Sequence, residues 1–142
     1  MKYDICIIGH GDFPMGIDSD IKTVAGTDEL VTCLNLDEHT THEKFTQDLD
    51  QYLDTHENVI VFADMTGGAP YQIAAKRILT NPKDTNKYVL SGVSMNLVLD
   101  VYLKNLSGQL TAENIEDSLS HVIEESKSMM QSISQSTISK KA

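Results

Sequence analysis

The segment Tyr3–Pro14, with the sequence YDICIIGHGDFP, decides how the rest of the chain is interpreted. Its short apolar run, Ile5–Ile8, is rich in β-branched residues and is typical of a strand covered on both faces in a parallel sheet. His10 follows between two glycines, which allow a sharp turn and leave room around the ring. Asp12 is a candidate N-cap and Pro14 suits a first helical turn. The pattern therefore predicts that His10 lies beside the positive end of a helix, where an anion is favoured.

A second predicted strand is also followed by a glycine-containing loop and a predicted helix. Val59–Ala63 is another short apolar run, and it leads through the loop sequence Asp64–Pro70, DMTGGAP, into a segment with helical periodicity. Taken alone, a loop histidine or a capping aspartate is ordinary turn chemistry. Two such loops, each after the C-terminal end of a predicted strand, indicate a functional site.

Strands and helices are predicted to alternate along the chain. The strands are predicted at Ile5–Ile8, Leu30–Leu36, Val59–Ala63 and Tyr88–Val93. Helical spacing of apolar residues follows each of them, with Gly26 ending the first helix and Thr111 capping a last helix that extends to Met129 or Met130. This alternation predicts an α/β fold, a doubly wound, mostly parallel four-stranded sheet in the order 2-1-3-4 with helices on both faces.

The bulk properties restrict the class of protein. The 142 residues suit a single domain over residues 1–130, followed by a Ser-rich C-terminal tail over 131–142 that is either frayed or an extra edge strand. A formal net charge of −10 argues against a nucleic-acid partner. No signal peptide or apolar run of membrane-spanning length is visible, so the expected location is the cytoplasm, without membrane insertion. Cys6 and Cys33 fall in predicted strands and are expected to be free thiols.

In a sheet of this order, ligands bind where the winding reverses, between the first and third strands. Those are the strands that end at His10 and Asp64. An aspartate that holds one ring N–H fixes the tautomer, frees the other nitrogen to attack a phosphoryl group, and stabilises the cationic phosphoimidazole that forms. Gly11, the backbone N–H groups of Gly67 and Gly68, and the Thr66 hydroxyl are the predicted phosphate contacts. The chemistry requires neither a metal nor a cofactor.

At these residues the chain resembles the IIA component of the mannose-type (mannose-fructose-sorbose) bacterial phosphotransferase system. The resemblance lies in Ile8–Gly11, Asp64–Pro70 and Ser91–Leu97, and it extends over roughly Met1–Met130. It implies a doubly wound fold, a homodimer, and a histidine that takes phosphate from the phosphocarrier HPr and passes it to a IIB component.

Carried onto this chain, the resemblance makes His10 the phosphorylated residue and Asp64 its hydrogen-bonding partner. Many members have Ser or Thr where this chain has Ala69, so that hydroxyl contact is absent here, and Thr66 is the candidate substitute. The chain is too short for a fused IIB domain, which implies that IIB is a separate polypeptide. The resemblance does not identify the transported sugar, because a IIA component contacts phosphate and its partner proteins and never the sugar.

Three other interpretations stay open. The phosphotransferase subunit of a dihydroxyacetone kinase resembles this family and uses the same histidine. A regulatory domain sensed through its phosphorylation state would need the same site. A histidine phosphatase or mutase is disfavoured, because Gly9 stands where an arginine is expected. His39 and His42 lie close together near Glu43, but on a polar loop they are better interpreted as solvated than as metal ligands.

Overall fold

The computed structural model describes residues 2–137, and within them strands and helices alternate as the sequence predicts. Four strands form one parallel sheet in the order β2-β1-β3-β4, which confirms the predicted fold. The elements are β1 (Asp4–His10), α1 (Phe13–Ala25), β2 (Val31–Leu36), α2 (His42–Thr55), β3 (Val59–Ala63), α3 (Ala69–Thr80), β4 (Lys87–Ser91), α4 (Met95–Leu106) and α5 (Ile115–Lys127).

Two hydrophobic clusters cover the two faces of the sheet. Ile5 and Ile7 of β1 face a cluster that includes residues of α1, α4 and α5. Cys6 and Ile8 face the other cluster, with residues of α2 and α3. Alternate residues of the central strand are thus buried on opposite sides, which explains why its sequence is apolar without a polar alternation.

The register of the strands determines where the site can form. Ile8 pairs with Ala63, the last residue of β3, and His10 pairs with Leu36, the last residue of β2. β1 therefore extends two residues beyond its last pair with β3. His10 and the residue after β3 consequently emerge together at the C-terminal edge of the sheet, at the point where the winding reverses.

Several local predictions need correction. Asp12 occupies the N-cap position of α1, but its side chain makes no capping hydrogen bond; Pro14 does lie in the first turn. Thr111 caps the turn of residues 112–114 that leads into the last helix: its Oγ1 accepts from the Asn114 N–H at 3.2 Å, and Asn114 Oδ1 accepts from the Thr111 N–H at 2.8 Å. α5 itself begins only after this turn, at Ile115. α5 ends at Lys127, short of the two exposed residues Met129 and Met130.

The segment after α5 forms no strand as far as the structure describes it. Residues 131–134 have no regular structure and residues 135–137 are helical. The alternative of an extra edge strand therefore finds no support in residues 131–137, and residues 138–142 lie outside the described part. In residues 2–137, no helix has both the length and the apolar character needed to cross a membrane.

The two cysteines are free, as predicted, and lie in adjacent strands. Cys6 is fully buried, and burial raises the pKa of its thiol. Cys33 is half-buried on the edge strand β2, and burial, with a contribution from Asp18, raises the pKa of its thiol to about 11. Both thiols are therefore protonated near neutral pH and are poor nucleophiles.

A buried ion-pair network fixes the connection between α3 and β4. The Asp84 carboxylate, only 2% exposed, accepts hydrogen bonds from Arg77 Nε and Lys87 Nζ, both at 2.9 Å. Arg77 also contacts Asp50 and Asp54 of α2. Burial opposes ionisation of Asp84, but the contacts with Lys87 and Arg77 outweigh it and hold the pKa of its carboxyl below the ordinary value.

We expect Asp84→Asn to lower the free energy of unfolding by about 3 kcal/mol at pH 7, because it leaves buried cationic groups without their shared counter-charge. Folding lowers the pKa of Asp84, so its contribution is complete above the unfolded-state value of about 4 and is lost as the pH falls through the lowered pKa. Urea denaturation at pH 7 and at lower pH measures both effects. Lys44→Ala, which breaks an exposed pair with Asp48, is the control and should cost less than about 1 kcal/mol. An equal loss in the two variants would contradict the prediction.

Candidate functional site

The His10 side chain stands at the C-terminal edge of the sheet, where it is 44% exposed. Its ring Nδ1 lies 2.8 Å from Oδ2 of Asp64. The same oxygen accepts a hydrogen bond from the backbone N–H of His10, also at 2.8 Å. Within residues 2–137, no hydrogen bond to His10 Nε2 is found. The ring is therefore held at one nitrogen while the other is open to an approaching molecule.

Asp64 is the first residue after β3, and its carboxylate is 11% exposed. Its backbone N–H donates to the carbonyl of Ile8 at 3.2 Å, which ties the loop to β1. Its Oδ1 accepts a hydrogen bond from the backbone N–H of Met65 at 2.8 Å. Partial burial works to raise the pKa of the carboxyl, but the hydrogen bonds from His10 and Met65 outweigh it and lower the pKa. An ionised Asp64 requires the proton of a neutral imidazole to lie on Nδ1, which leaves a lone pair on Nε2.

Two glycines allow the close packing around this pair. A β-carbon on Gly68 would lie 2.8 Å from Cε1 of the His10 ring and 2.9 Å from Cγ of Met65. A β-carbon on Gly9 would lie 2.9 Å from Cγ of Asp64. All three distances are shorter than side-chain atoms tolerate, so these two positions accept the ring and the carboxylate only because they lack side chains.

Within residues 2–137, backbone N–H groups without a close acceptor lie at the start of α3, next to the Gly68 position that borders the ring. Gly67 has a left-handed backbone, with φ of 87°, and Gly68 is the N-cap of α3. The Gly68 N–H makes one long contact of 3.4 Å with the carbonyl of Met65. In the described part of the chain, no acceptor is found for the N–H of Gly67 or Ala69. The loop and the positive end of the helix can therefore donate hydrogen bonds to an anion.

The remaining predicted phosphate contacts, Gly11 and Thr66, have polar groups that already make hydrogen bonds within the protein. Gly11 follows the ring with φ of 56°, but its N–H already donates to the carbonyl of Leu36 at 3.0 Å. Thr66 Oγ1 lies 2.8 Å from Oγ of Ser91, at the end of β4. The structure thus brings together His10, Asp64 and Gly68, whereas the Thr66 hydroxyl is bonded on the β4 side of its loop.

Sequence reasoning missed two residues that support the site. Ser91 was included in a predicted strand without a role, although it is the polar end of an apolar run. Gln72 lies in the first turns of α3, and its Nε2 donates to the carbonyl of Gly67 at 2.9 Å. A polar side chain one turn after a glycine pair was the only signal for this second contact.

Fold and site together define a doubly wound α/β protein with a histidine–carboxylate pair at the switch point of its sheet. The family model described as "PTS system fructose IIA component" matches residues 4–119. The chain therefore belongs to this family, the mannose-type IIA components of the sugar phosphotransferase system.

Known relatives agree with this assignment. The chain is 29% identical over 101 residues to the "PTS system fructose-specific EIIA component" of Bacillus subtilis (strain 168), and the match covers 68% of this chain and 66% of that protein. Phosphotransferase system component EIIA from Streptococcus agalactiae has a similar fold, with a TM-score of 0.78 at 24% identity, over 92% of this chain and 96% of that one. The mannose/sorbose-specific IIA subunit from Enterococcus faecalis has a TM-score of 0.77 at 16% identity, over 94% and 96%.

Proposed function

We propose that this chain is a phosphoryl carrier, and that His10 accepts phosphate from phospho-HPr and passes it to a IIB component. The observation that carries the proposal is the 2.8 Å contact between His10 Nδ1 and Asp64, which leaves Nε2 free on an exposed edge. Membership of the IIA family supports the role in sugar uptake and favours it over a subunit of a dihydroxyacetone kinase.

In the proposed reaction, the Nε2 lone pair attacks the phosphorus of the phosphoryl group on the donor protein. The new N–P bond forms as the bond between phosphorus and the donor side chain breaks, and the bonding electron pair returns to that side chain. His10 keeps its Nδ1 proton throughout, and the Asp64 carboxylate stabilises the positive charge that the ring acquires. Transfer to IIB repeats the exchange with His10 as the leaving group.

The phosphoryl oxygens need donors close to the ring. We assign this role to the N–H groups of Gly67, Gly68 and Ala69, with Gly11 shaping the opposite side of the site. Gly68 supports the assignment because a β-carbon built on it would lie 2.8 Å from the imidazole Cε1, so its backbone is next to the ring. Phosphoryl transfer needs mainly positioning and electrostatic stabilisation, which backbone donors at a helix start provide without side-chain chemistry.

A homodimer in the cytoplasm is part of the proposal. Within residues 2–137, β4 is an edge strand with no partner on its outer side. Beside it lies a groove of about 210 Å³ lined by Tyr71, Ala75, Ile78, Leu79 and Val89. An open edge next to apolar side chains is a surface that proteins usually cover. Sedimentation equilibrium of the full chain tests this part, and a monomer at all concentrations would contradict it.

Incubation with phosphoenolpyruvate, enzyme I and HPr tests the carrier function. We expect a phosphate on the protein that is labile in acid and stable in base, and its loss from the protein when a IIB component is added. Phosphate that forms but never moves to IIB would indicate a regulatory domain instead. Absence of any phosphate transfer from phospho-HPr would contradict the proposal.

Gly68→Ala is expected to slow phosphorylation by phospho-HPr by at least about tenfold, because the added carbon collides with the His10 ring and displaces it. The initial rate with radiolabelled phosphoenolpyruvate measures the effect. Gly16→Ala in α1 is the matched control, since a β-carbon there meets no atom within 4 Å, and its rate should stay within roughly twofold of the parent. Equal rates for the two variants would show that Gly68 is not needed at the ring.

A further inference from the structure

We propose that Thr66 and Ser91 are positioning residues, whose paired hydroxyls anchor the loop of residues 64–68 to the end of β4 and so hold its N–H donors beside His10. Only the expected effect on the rate of phosphorylation rests on the proposed function. The anchoring itself concerns the unphosphorylated protein. It assigns Thr66 a role different from direct phosphate binding.

The Thr66 hydroxyl lies on the side of its loop that faces β4. Its Oγ1 is 2.8 Å from Ser91 Oγ, across the gap between β3 and β4. A β-carbon on Gly92 would lie 3.4 Å from the same Oγ1, so the hydroxyl rests against the turn that ends β4. β3 separates β4 from β1, and His10 is on β1. Thr66 therefore contacts the strand end on the far side of β3 from the imidazole.

Few contacts hold the middle of this loop. Its start is held by Asp64, which accepts hydrogen bonds from the N–H groups of His10 and Met65, and its end by Gln72, which donates to the carbonyls of Gly67 and Gly68. Between these points, the Gly68 N–H makes a long contact of 3.4 Å with the Met65 carbonyl. A segment with two adjacent glycines has a large conformational entropy to lose. The hydroxyl pair supplies the fixed point in the middle of the loop.

The hydroxyl pair adds to the reaction through the N–H donors that follow Thr66 in the loop. Donors for a phosphoryl group are effective when their positions are set before the group arrives. The Gly67 and Gly68 N–H groups follow Thr66 directly, so its attachment to β4 limits their movement. Loss of either hydroxyl should increase the mobility of both N–H donors to the same extent. Each hydroxyl acts only through its hydrogen bond to the other.

The experiment compares Thr66→Val, Ser91→Ala and the double variant with the parent chain. In the unphosphorylated protein, we expect the NMR order parameters of the Gly67 and Gly68 N–H groups to fall from the rigid range of about 0.85 to about 0.6, equally in all three variants, because the loop loses its attachment to β4. Initial rates of phosphorylation by phospho-HPr should fall by about 3- to 10-fold, as for the loss of one hydrogen bond, without additivity in the double variant. Thr66→Ser keeps the hydroxyl and should match the parent chain in both measurements. Thr23→Val in α1 removes a hydroxyl away from the site, so it is the matched control and should also match the parent.

Distinct results would overturn the proposal. A much larger loss of rate in Thr66→Val than in Ser91→Ala, with unchanged order parameters at Gly67 and Gly68, would mean that Thr66 binds the phosphoryl group directly. Additive losses in the double variant would mean that the two hydroxyls act independently. If the parent chain accepts no phosphate, the proposed function fails, and the order parameters still decide whether the hydroxyl pair anchors the loop.

Discussion

His10→Ala is expected to abolish transfer of phosphate from phospho-HPr while the chain stays folded. The ring is 44% exposed and contributes little to the core, so its removal should leave the free energy of unfolding within about 1 kcal/mol of the parent value. The variant loses the only nucleophile that the proposed mechanism uses. Labelling with radioactive phosphoenolpyruvate in the presence of enzyme I and HPr measures the effect, and circular dichroism checks the fold.

A second histidine variant provides the control for this result. The His39 side chain is strongly exposed, and its ring Nε2 lies 3.4 Å from Oε1 of its neighbour Glu38. His39→Ala should therefore incorporate phosphate at the parent rate. Retention of label by His10→Ala would mean that another residue carries the phosphate, and the proposed function would then have to be abandoned.

Asp64→Asn should slow phosphorylation of His10 by roughly 10²- to 10⁴-fold, the range associated with loss of a carboxylate that orients and stabilises a catalytic histidine. The amide has nearly the same shape but carries no charge, so it stabilises the phosphoimidazole cation less. It also no longer requires the imidazole proton to lie on Nδ1. Single-turnover kinetics with phospho-HPr measures the rate, and thermal unfolding should show that the fold survives.

Asp12→Asn is the matched control for Asp64→Asn. Asp12 belongs to the same edge of the sheet, but its side chain makes no capping hydrogen bond. Its removal changes the net charge by the same amount and should alter the rate by less than about threefold. If the two variants behaved alike, the effect of Asp64 would be one of general charge, and its specific role at Nδ1 would be disproved.

The sheet and the central pair of the site could be predicted from the sequence because both depend on short-range patterns. Apolar β-branched runs identify buried parallel strands, and the connections between parallel strands have one handedness. Once the order 2-1-3-4 is assumed, His10 and Asp64 must emerge at the same edge. Their 2.8 Å contact agrees with this expectation from topology alone.

The contacts within loops could not be predicted in the same way. The Thr66 hydroxyl bonds to Ser91, 25 residues further along the chain, and no local periodicity reports such a pairing. Thr111 makes the predicted capping hydrogen bond to the Asn114 N–H, but the sequence does not show that α5 begins only after the intervening turn, at Ile115. Propensities describe what a residue type can do, whereas the partner of a loop side chain is set by tertiary structure.

Asp64 Oδ2 accepts both N–H groups of one residue, the main-chain amide and the imidazole of His10. These two hydrogen bonds to one oxygen fix the direction in which the imidazole ring points. The ring is therefore not expected to rotate between a donor protein and an acceptor protein. A donor protein and an acceptor protein would then have to present their reactive groups to the same spot in turn. They should compete for one docking area, so that an excess of the unphosphorylated donor inhibits delivery to the acceptor.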